Sequence, residues 1–295
     1  MSINAREVSK LFNSSKLSAL ADGDYSFVEK VASDLKGANY RSYTPAAIYE
    51  SAYLLMQKEY RAEYYFKNTI ANKILLGRHS LNTAVMLSEY RAGRSKADCV
   101  VVNGKTTCYE IKTEFDNLTR LEEQLKDYLA LFDEVFVVCS SKHLSTVLSK
   151  VDNRVGVIEL NSRNSLSVKR EALQRKENID VDLMIGSLRK DEYTRLIEKV
   201  TGEIPDVPNS LLVSTCRTIL KQAEPNILAT SFIDVLKEKR FNDASLINAL
   251  PKVLVNAAIS YQFSKKQSDS LKRIFNSSFK ESQCICHTLE GNSLN

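Results

Sequence analysis

The sequence predicts an α/β fold followed by an α-helical C-terminal region. Strand-like and helix-like segments alternate between residues 59 and 160, and this alternation is typical of a sheet covered by helices. The run Glu134–Cys139 is too apolar for a surface strand, so we expect it to be buried on both faces. Residues 183–276 have helical patterns, interrupted by a break with two prolines at 202–208.

The segments before the first predicted strand are helical. Residues 1–58 contain the helix-like stretches Tyr25–Leu35 and Ala46–Lys58, which we expect to pack against the core. Glu63–Leu76 has apolar and aromatic side chains at helical spacing and predicts the first core helix. Ala84–Tyr90 then predicts the first strand.

The next two predicted strands carry charged side chains. Ala97–Val102 contains Asp98, and Thr106–Lys112 ends with Glu110 and Lys112. Side chains two positions apart on a strand lie on the same face. Two carboxylates that meet across a hairpin form an oxygen-rich site for Mg²⁺ or Mn²⁺, and a lysine beside them can position a water molecule. The pattern predicts metal-dependent hydrolysis of phosphodiester bonds.

An amphipathic helix and two more strands follow. Apolar residues recur at intervals of three and four after the hairpin, at Leu118, Leu121, Leu125, Tyr128 and Phe132. This spacing predicts a helix. The apolar strand 134–139 comes next, then a short helical stretch at 142–150 and a strand at 155–160.

Two motifs in this region resemble those of a known family. The first is D-x11-E-x-K, at Asp98, Glu110 and Lys112, and the second is Q-x-x-x-Y, at Gln124 and Tyr128 on the following helix. In this order they resemble the PD-(D/E)XK nuclease superfamily, which has the restriction-endonuclease-like fold. The second motif is similar to that of the RecB-like branches. An alanine stands at the position of the proline that gives the first motif its name.

The resemblance implies a site and a substrate. It implies that Asp98 and Glu110 bind Mg²⁺ or Mn²⁺ together with the backbone carbonyl of Ile111, and that Lys112 orients the attacking water. The glutamine and tyrosine of the second motif would shape the site from behind. A mixed central sheet flanked by helices over residues 59–160 and cleavage of DNA rather than RNA are further implications. The context also looks like a poorly characterised bacterial branch, which implies a role in defence or in mobile-element DNA processing.

The turn between the two charged strands decides whether the carboxylates meet. A two-residue turn at Asn103-Gly104 would place Asp98 and Glu110 on opposite faces of the sheet. A three-residue loop with Gly104 in a left-handed bulge would pair Val101 with Lys105 and place both acids on one face. The metal site therefore predicts the three-residue loop or a bulge elsewhere in the hairpin.

Two further acids are candidates for the metal site. Members of the superfamily often have a glutamate on the first core helix, which implies Glu63 here, with Glu89 near the end of the first strand as the competitor. Glu63 has a simpler interpretation as a solvated acid that favours the helix dipole.

Two glycine-containing loops carry cations. Arg78 lies in the first loop, and Arg91, Arg94 and Lys96 lie in the second, just before Asp98. These side chains can hold the phosphates of a nucleic-acid backbone, or the loops can simply be solvated. His79 lies in the first loop, but a lone histidine does not indicate a zinc cluster or a histidine-based triad.

Composition sets outer limits on function. The chain has 295 residues, 43% of them hydrophobic, and a net charge of +5, which permits nucleic-acid binding. It has no apolar run of membrane-spanning length and no signal-type amino terminus, so we expect a cytoplasmic protein without membrane contact. The six cysteines are expected to be reduced thiols.

The predicted organisation has five parts. An N-terminal helical segment (1–58) precedes the nuclease-like core (59–160), and a connection (161–182) leads to a helical accessory domain (183–276) and a weakly ordered tail (277–295). The helical domain could support a homodimer, a protein partner or DNA. The alternative to a nuclease is an inactive module of the same fold that binds nucleic acid or a protein.

Overall fold

The computed structural model describes residues 4–37 and 43–276. The described residues form two compact units, one within residues 1–72 and 243–295 and the other within residues 73–242. These boundaries differ from the predicted ones, because the helices up to residue 239 belong to the same unit as the strands. The tail predicted at 277–295 lies outside the described residues.

The elements of the described residues are as follows. The α-helices are α1 (Ala5–Val8), α2 (Ser14–Ala21), α3 (Ser26–Lys36), α4 (Pro45–Glu59), α5 (Glu63–Ile70), α6 (Leu76–Arg78), α7 (Leu121–Leu131), α8 (Leu144–Lys150), α9 (Val181–Ser187), α10 (Lys190–Thr201), α11 (Asn209–Leu220), α12 (Pro225–Lys239), α13 (Ala244–Ala249), α14 (Val255–Ser260) and α15 (Lys265–Asn276). The strands are β1 (Val85–Ala92), β2 (Ser95–Val102), β3 (Thr106–Lys112), β4 (Glu134–Ser140), β5 (Gly156–Leu160) and β6 (Leu166–Arg170). A π-helical segment, Ala71–Leu75, continues α5.

The first unit is helical and packs around aromatic side chains. Phe12 lies edge-on to Tyr49, with ring centroids 5.5 Å apart, and its backbone carbonyl accepts a hydrogen bond from the Tyr261 hydroxyl at 2.6 Å. The buried Asn68 side chain donates to the Lys252 carbonyl and accepts from the Asn256 amide. These bonds join the N-terminal and C-terminal helices of this unit, because their partners are about 180 residues or more apart in sequence.

The second unit contains a six-stranded mixed sheet with the strands in sequential order. The pairs β1/β2, β2/β3 and β5/β6 are antiparallel, whereas β3/β4 and β4/β5 are parallel. Parallel neighbours need a long crossover connection, and α7 and α8 lie in these two connections. This arrangement confirms the α/β prediction, including a mixed sheet flanked by helices.

One hydrophobic core joins the sheet to the helices that follow it. Val100 and Cys108 from the sheet, Leu125 from α7 and Phe232 from α12 all belong to it. This shared interior makes the helices α9 to α12 part of the sheet's own unit. Among the described residues, no helix is long and apolar enough to cross a membrane.

The predicted connection at 161–182 contains a strand, which corrects that prediction. β6 pairs with the outer edge of β5, with Leu166 opposite Leu160 and Val168 opposite Ile158. Its polar residues lie at the edge of the sheet, where solvent satisfies them. A run rich in Ser, Asn, Lys and Arg therefore gave no apolar signal of a strand.

Gly156 allows a close approach of β4 and β5. A Cβ atom there would lie 2.3 Å from Cδ1 of Phe136 and 2.7 Å from the backbone nitrogen of Ala172. We expect Gly156→Ala to lower the free energy of unfolding by about 3 kcal/mol, as overpacked cores do. Chemical denaturation measures the change.

Gly186→Ala is the matched control. Nothing lies within 4 Å of a Cβ atom at this position, which is in α9. Alanine has the higher helix propensity, so the control should be neutral or more stable by up to about 1 kcal/mol. Equal effects of the two substitutions would contradict the close approach at Gly156.

Candidate active site

A three-residue loop joins β2 and β3. The strands pair Val102 with Thr106 and Cys99 with Tyr109, which leaves residues 103–105 as the loop, and Gly104 has a left-handed φ of +71°. The predicted loop length and the left-handed glycine are confirmed. The predicted pairing of Val101 with Lys105 is wrong, because the loop closes one residue further along each strand.

The register places the two acids of the first motif side by side. Extending it one step beyond the pair Cys99–Tyr109 sets Asp98 opposite Glu110, and directly opposed residues share a face of the sheet. Oδ2 of Asp98 accepts a hydrogen bond from the Ile111 amide at 2.7 Å. The Asp98 side chain thus occupies the position where the β2/β3 ladder ends. The Ile111 carbonyl also faces β2, because the N–H and C=O of one residue point to the same neighbouring strand.

Glu110 is the centre of a buried hydrogen-bonded cluster. The residue is 2% exposed, and its Oε1 accepts from Nζ of Lys112 at 2.7 Å. Its Oε2 accepts from the Tyr128 hydroxyl at 3.0 Å. The Lys112 ammonium also donates to Oε1 of Gln124 at 3.0 Å. The structure therefore brings together four of the predicted site residues, two from β3 and two from α7.

The cluster sets the protonation of its members. Burial raises the pKa of Glu110, while the charge and hydrogen bond of Lys112 and the hydrogen bond of Tyr128 act in the opposite direction. Burial and the negative charge of Glu110 raise the pKa of Tyr128. Tyr128 therefore keeps its proton and remains a hydrogen-bond donor to the carboxylate.

Glu89 interrupts β1 beside Asp98. It has a φ of +55°, an uncommon value for a residue other than glycine, and the regular pairing of β1 with β2 skips the two acids. Leu87 and Tyr90, three residues apart, consequently belong to the same core. Carboxylate oxygens of Glu89 and Asp98 lie within 4.8 Å of each other, and Glu89 also forms an ion pair with Lys96 at 3.3 Å. Such strained backbone occurs most often at functional sites.

Three other residues of the sequence analysis belong to other elements. Glu63 begins α5 in the helical unit, where it pairs with Lys67 at 2.6 Å and its side chain is 56% exposed. Its predicted metal role stays a prediction. Arg78 is exposed at the end of α6. His79 accepts or donates a hydrogen bond at 2.8 Å with the side chain of Asn103, at the loop end of the β2–β3 hairpin and away from Asp98.

The segment 91–96, predicted as a loop, is a tight hairpin, which corrects that prediction, because Arg91 lies in β1 and Lys96 in β2. Ala92 pairs with Ser95, so Gly93 and Arg94 form a two-residue turn. The Arg91 side chain bonds only weakly to the Gly93 carbonyl, at 3.4 Å. Lys96 forms an ion pair with Glu89. Of the predicted cations in this segment, Arg94 is the one that lies near Gln124 of the second motif.

A small cavity lies beside Arg94, and the sequence did not predict it. Its volume is about 250 Å³, and it is lined by Arg94, Ser95, Arg120, Glu123, Gln124, Lys126 and Asp127. The Ser95 hydroxyl donates to Asp127 at 2.7 Å and so ties the hairpin to α7. Gln124 belongs both to this cavity and to the cluster around Lys112. The cavity therefore adjoins the candidate site.

The donors at this site fit a hard divalent cation. Asp98, Glu89 and Glu110 offer carboxylate oxygens, and Ile111 offers a carbonyl oxygen, which are the ligand types that Mg²⁺ and Mn²⁺ prefer. Among the described residues, carboxylate oxygens of Glu89 and Asp98 converge, whereas the Glu110 carboxylate does not lie within 4.8 Å of both and is held by Lys112 and Tyr128. The distance between the Asp98 and Glu89 oxygens, within 4.8 Å, is compatible with a shared ion.

Comparison with known proteins identifies one family. The family model described as bacteriophage P4 protein cII matches residues 56–262. Among individual proteins, the protein cII of Enterobacteria phage P4 is 36% identical over 107 residues, which cover 35% of this chain and 40% of that relative. No solved structure matches the chain.

Proposed function

The chain belongs to the bacteriophage P4 protein cII family, and from its site we propose that it is a metal-dependent nuclease that hydrolyses phosphodiester bonds, in DNA rather than RNA. One observation carries the proposal. The buried Glu110 carboxylate and the Lys112 ammonium lie 2.7 Å apart at the end of β3, beside the position of Asp98 on the neighbouring strand. Buried charges are costly and are rare without a partner or a role.

The burial of these charges argues against simple surface decoration. Glu110 is 2% exposed and Lys112 is 8% exposed, so neither belongs to a solvated face. Replacing such a pair with apolar residues is often neutral or stabilising, which makes stability a poor reason for the pair. A function in binding a cation and a phosphate explains why the charges are buried at the end of a strand.

Each residue has a distinct role in the proposed mechanism. Asp98, Glu110 and the Ile111 carbonyl would hold Mg²⁺ or Mn²⁺, with Glu89 as a further oxygen donor. When bound, the cation supplies Lewis-acid stabilisation of the charge on the phosphoryl oxygens. Lys112 is held between two acceptors, Glu110 and Gln124, and its ammonium can orient a water or stabilise negative charge.

The remaining residues keep this arrangement fixed. Tyr128 donates to Oε2 of Glu110 and orients the carboxylate from behind. Gln124 accepts from Lys112 and fixes its position. Because both lie on α7, packing of one helix positions the lysine and the glutamate together. The phage origin of the relative supports a place in mobile-element DNA processing.

Cleavage of defined substrates tests the proposal. The purified protein is incubated with linear, nicked, branched and single-stranded DNA and with RNA, each with Mg²⁺, with Mn²⁺ and with EDTA. We expect metal-dependent cleavage of at least one DNA substrate and none in EDTA. Absence of cleavage from every substrate, in a preparation with intact secondary structure, would refute the nuclease.

A second function is a module that binds nucleic acid or a protein without cleavage. The observation that favours it is the full enclosure of Glu110, because Lys112 and Tyr128 already occupy both carboxylate oxygens. It would bind DNA equally well with and without metal. A homodimer or protein contact through the helices after residue 183 stays a prediction.

A further inference from the structure

The cavity beside the candidate site contains unpaired cations. Arg94 and Arg120 are both exposed, and neither guanidinium has a hydrogen bond or ion pair with any residue in the described ranges. Lys126 differs, since it pairs with Glu122 at 3.3 Å. Two free guanidinium groups on one cavity are a ready set of donors for an anion.

The fold brings these arginines to the cavity from two different elements. Arg94 lies in the tight turn between β1 and β2, and Arg120 is the residue immediately before the first turn of α7. The bond from Ser95 to Asp127 ties the turn to the helix. The N-terminus of a helix adds a partial positive charge to this side of the cavity.

The size of the cavity and its position beside the candidate site indicate what it binds. A cavity of about 250 Å³ is smaller than typical small-molecule sites of about 300–1,000 Å³, so it fits a phosphate with its sugar rather than a base pair. Gln124 separates it from Lys112 by a single side chain. A phosphate there would therefore belong to the same strand as a phosphate bound at the candidate site.

We propose that this cavity binds the phosphate of the nucleotide next to the bond that is cut, with Arg94 and Arg120 as its two donors. The identification of the ligand as nucleic acid rests on the proposed nuclease function. Two carboxylates also line the cavity. Asp127 is engaged by Ser95, whereas Glu123 is exposed and has no hydrogen bond or ion pair in the described ranges.

The proposal predicts opposite changes in DNA affinity for the arginines and for Glu123. Loss of either arginine should weaken binding, because a charge-assisted bond to phosphate is lost. Loss of the Glu123 charge should tighten binding, because it repels the same phosphate. A purely structural role for these exposed residues would produce neither effect.

DNA binding in EDTA tests the inference without any cleavage. Fluorescence anisotropy with a labelled single-stranded oligonucleotide gives Kd at several salt concentrations for the full chain. Arg94→Gln and Arg120→Gln should each raise Kd about tenfold and reduce the salt slope by about 0.7. Glu123→Gln should lower Kd by about twofold to fivefold. Inorganic phosphate should compete with the oligonucleotide if the cavity accepts a free phosphate as well.

Arg163→Gln is the matched control, since it removes the same charge from an exposed turn between β5 and β6. Its Kd should equal that of the unchanged protein. No binding by the unchanged protein, or arginine variants that bind like this control, would overturn the cavity assignment. If the arginine variants bind weakly while no substrate is ever cut, the nuclease proposal fails and the cavity stands. If the unchanged protein cuts DNA while the arginine variants bind normally, the cavity assignment fails and the nuclease proposal stands.

Discussion

Asp98→Asn should reduce metal-dependent DNA cleavage by about a thousandfold. The substitution removes the charge of one of the carboxylates proposed to hold the cation. Lewis-acid stabilisation is worth several kcal/mol, and a loss of about 4 kcal/mol corresponds to this change in rate. Initial rates at saturating Mg²⁺, on whichever DNA substrate the unchanged protein cuts, measure the effect.

The same substitution should leave the fold intact. Asparagine keeps a side-chain oxygen that can accept the Ile111 amide, so the bond that closes the end of the β2/β3 ladder is retained. DNA binding in EDTA should change little, since removal of a negative charge does not remove a phosphate donor. Loss of cleavage with retained binding separates a catalytic role from a structural one.

Asp116→Asn provides the matched control for this experiment. Asp116 also accepts a backbone amide, that of Thr113 at 2.7 Å, and it lies four residues after Lys112. The chemical change is the same and both carboxylates accept a backbone amide, although Asp116 also accepts the Thr113 hydroxyl at 2.7 Å. Asp116 does not belong to the proposed ligand set. Its variant should cleave within a few-fold of the unchanged protein. An Asp98→Asn variant that cleaves as fast as this control would exclude Asp98 as a metal ligand.

The centre of the site could be predicted from the sequence, because strand and helix periodicity determine which of its side chains lie together. The strand period places Glu110 and Lys112 on one face, the helical period places Gln124 and Tyr128 one turn apart, and both pairs meet in the structure. The three-residue loop followed from the requirement that Asp98 share this face. Its closing pair was not predictable, because loops of equal length can close at different residues.

Other features depend on tertiary structure. A left-handed Glu89 has no sequence signal, since only glycine and, less often, asparagine favour that conformation. The division into units could not be predicted either, because the helices at 181–239 complete a core whose first residue, Val85, lies far earlier in the chain. The cavity beside Arg94 could have been predicted from the sequence. Arg120, at the residue before α7, and Asp127 lie four residues before and three residues after Gln124, and helical spacing places all three on the same side.

Arg240→Met should lower the free energy of unfolding of the sheet-containing unit by about 3–5 kcal/mol at neutral pH, because it leaves a buried charge without its partner. Glu192 is 0% exposed, and Arg240 holds it with two bonds, from Nε at 2.5 Å and from Nη2 at 2.6 Å. The guanidinium also lies 4.7 Å from the ring centroid of Tyr90 and bonds to the Ser187 carbonyl. One substitution thus disconnects β1, α9 and α10 from the end of α12.

The loss of stability in Arg240→Met should become smaller as the pH falls. Burial alone would raise the pKa of Glu192, but the bonds from Arg240 and from the Arg189 amide outweigh it and lower the pKa below 4.5. In the unchanged protein, the stabilisation from ionised Glu192 is fully present above the pKa that this group has in the unfolded state. It is lost as the pH falls through the lower pKa that the group has in the folded state. In the variant the unpaired acid has a raised pKa, so it takes up a proton on acidification. The difference between the two proteins should therefore shrink as the pH falls from about 7.5 towards about 5.

Two further variants identify the cause. Arg195→Met removes an arginine whose ion pair with Glu238 lies on the surface, so it should cost less than about 1 kcal/mol. Arg240→Met combined with Glu192→Met removes both buried charges and should recover most of the lost stability, because apolar replacements of buried pairs are often neutral. Urea denaturation followed by circular dichroism at both pH values measures all four proteins. A double variant as unstable as Arg240→Met would show that the arginine acts through its packing on Tyr90, because the unpaired charge would then be absent.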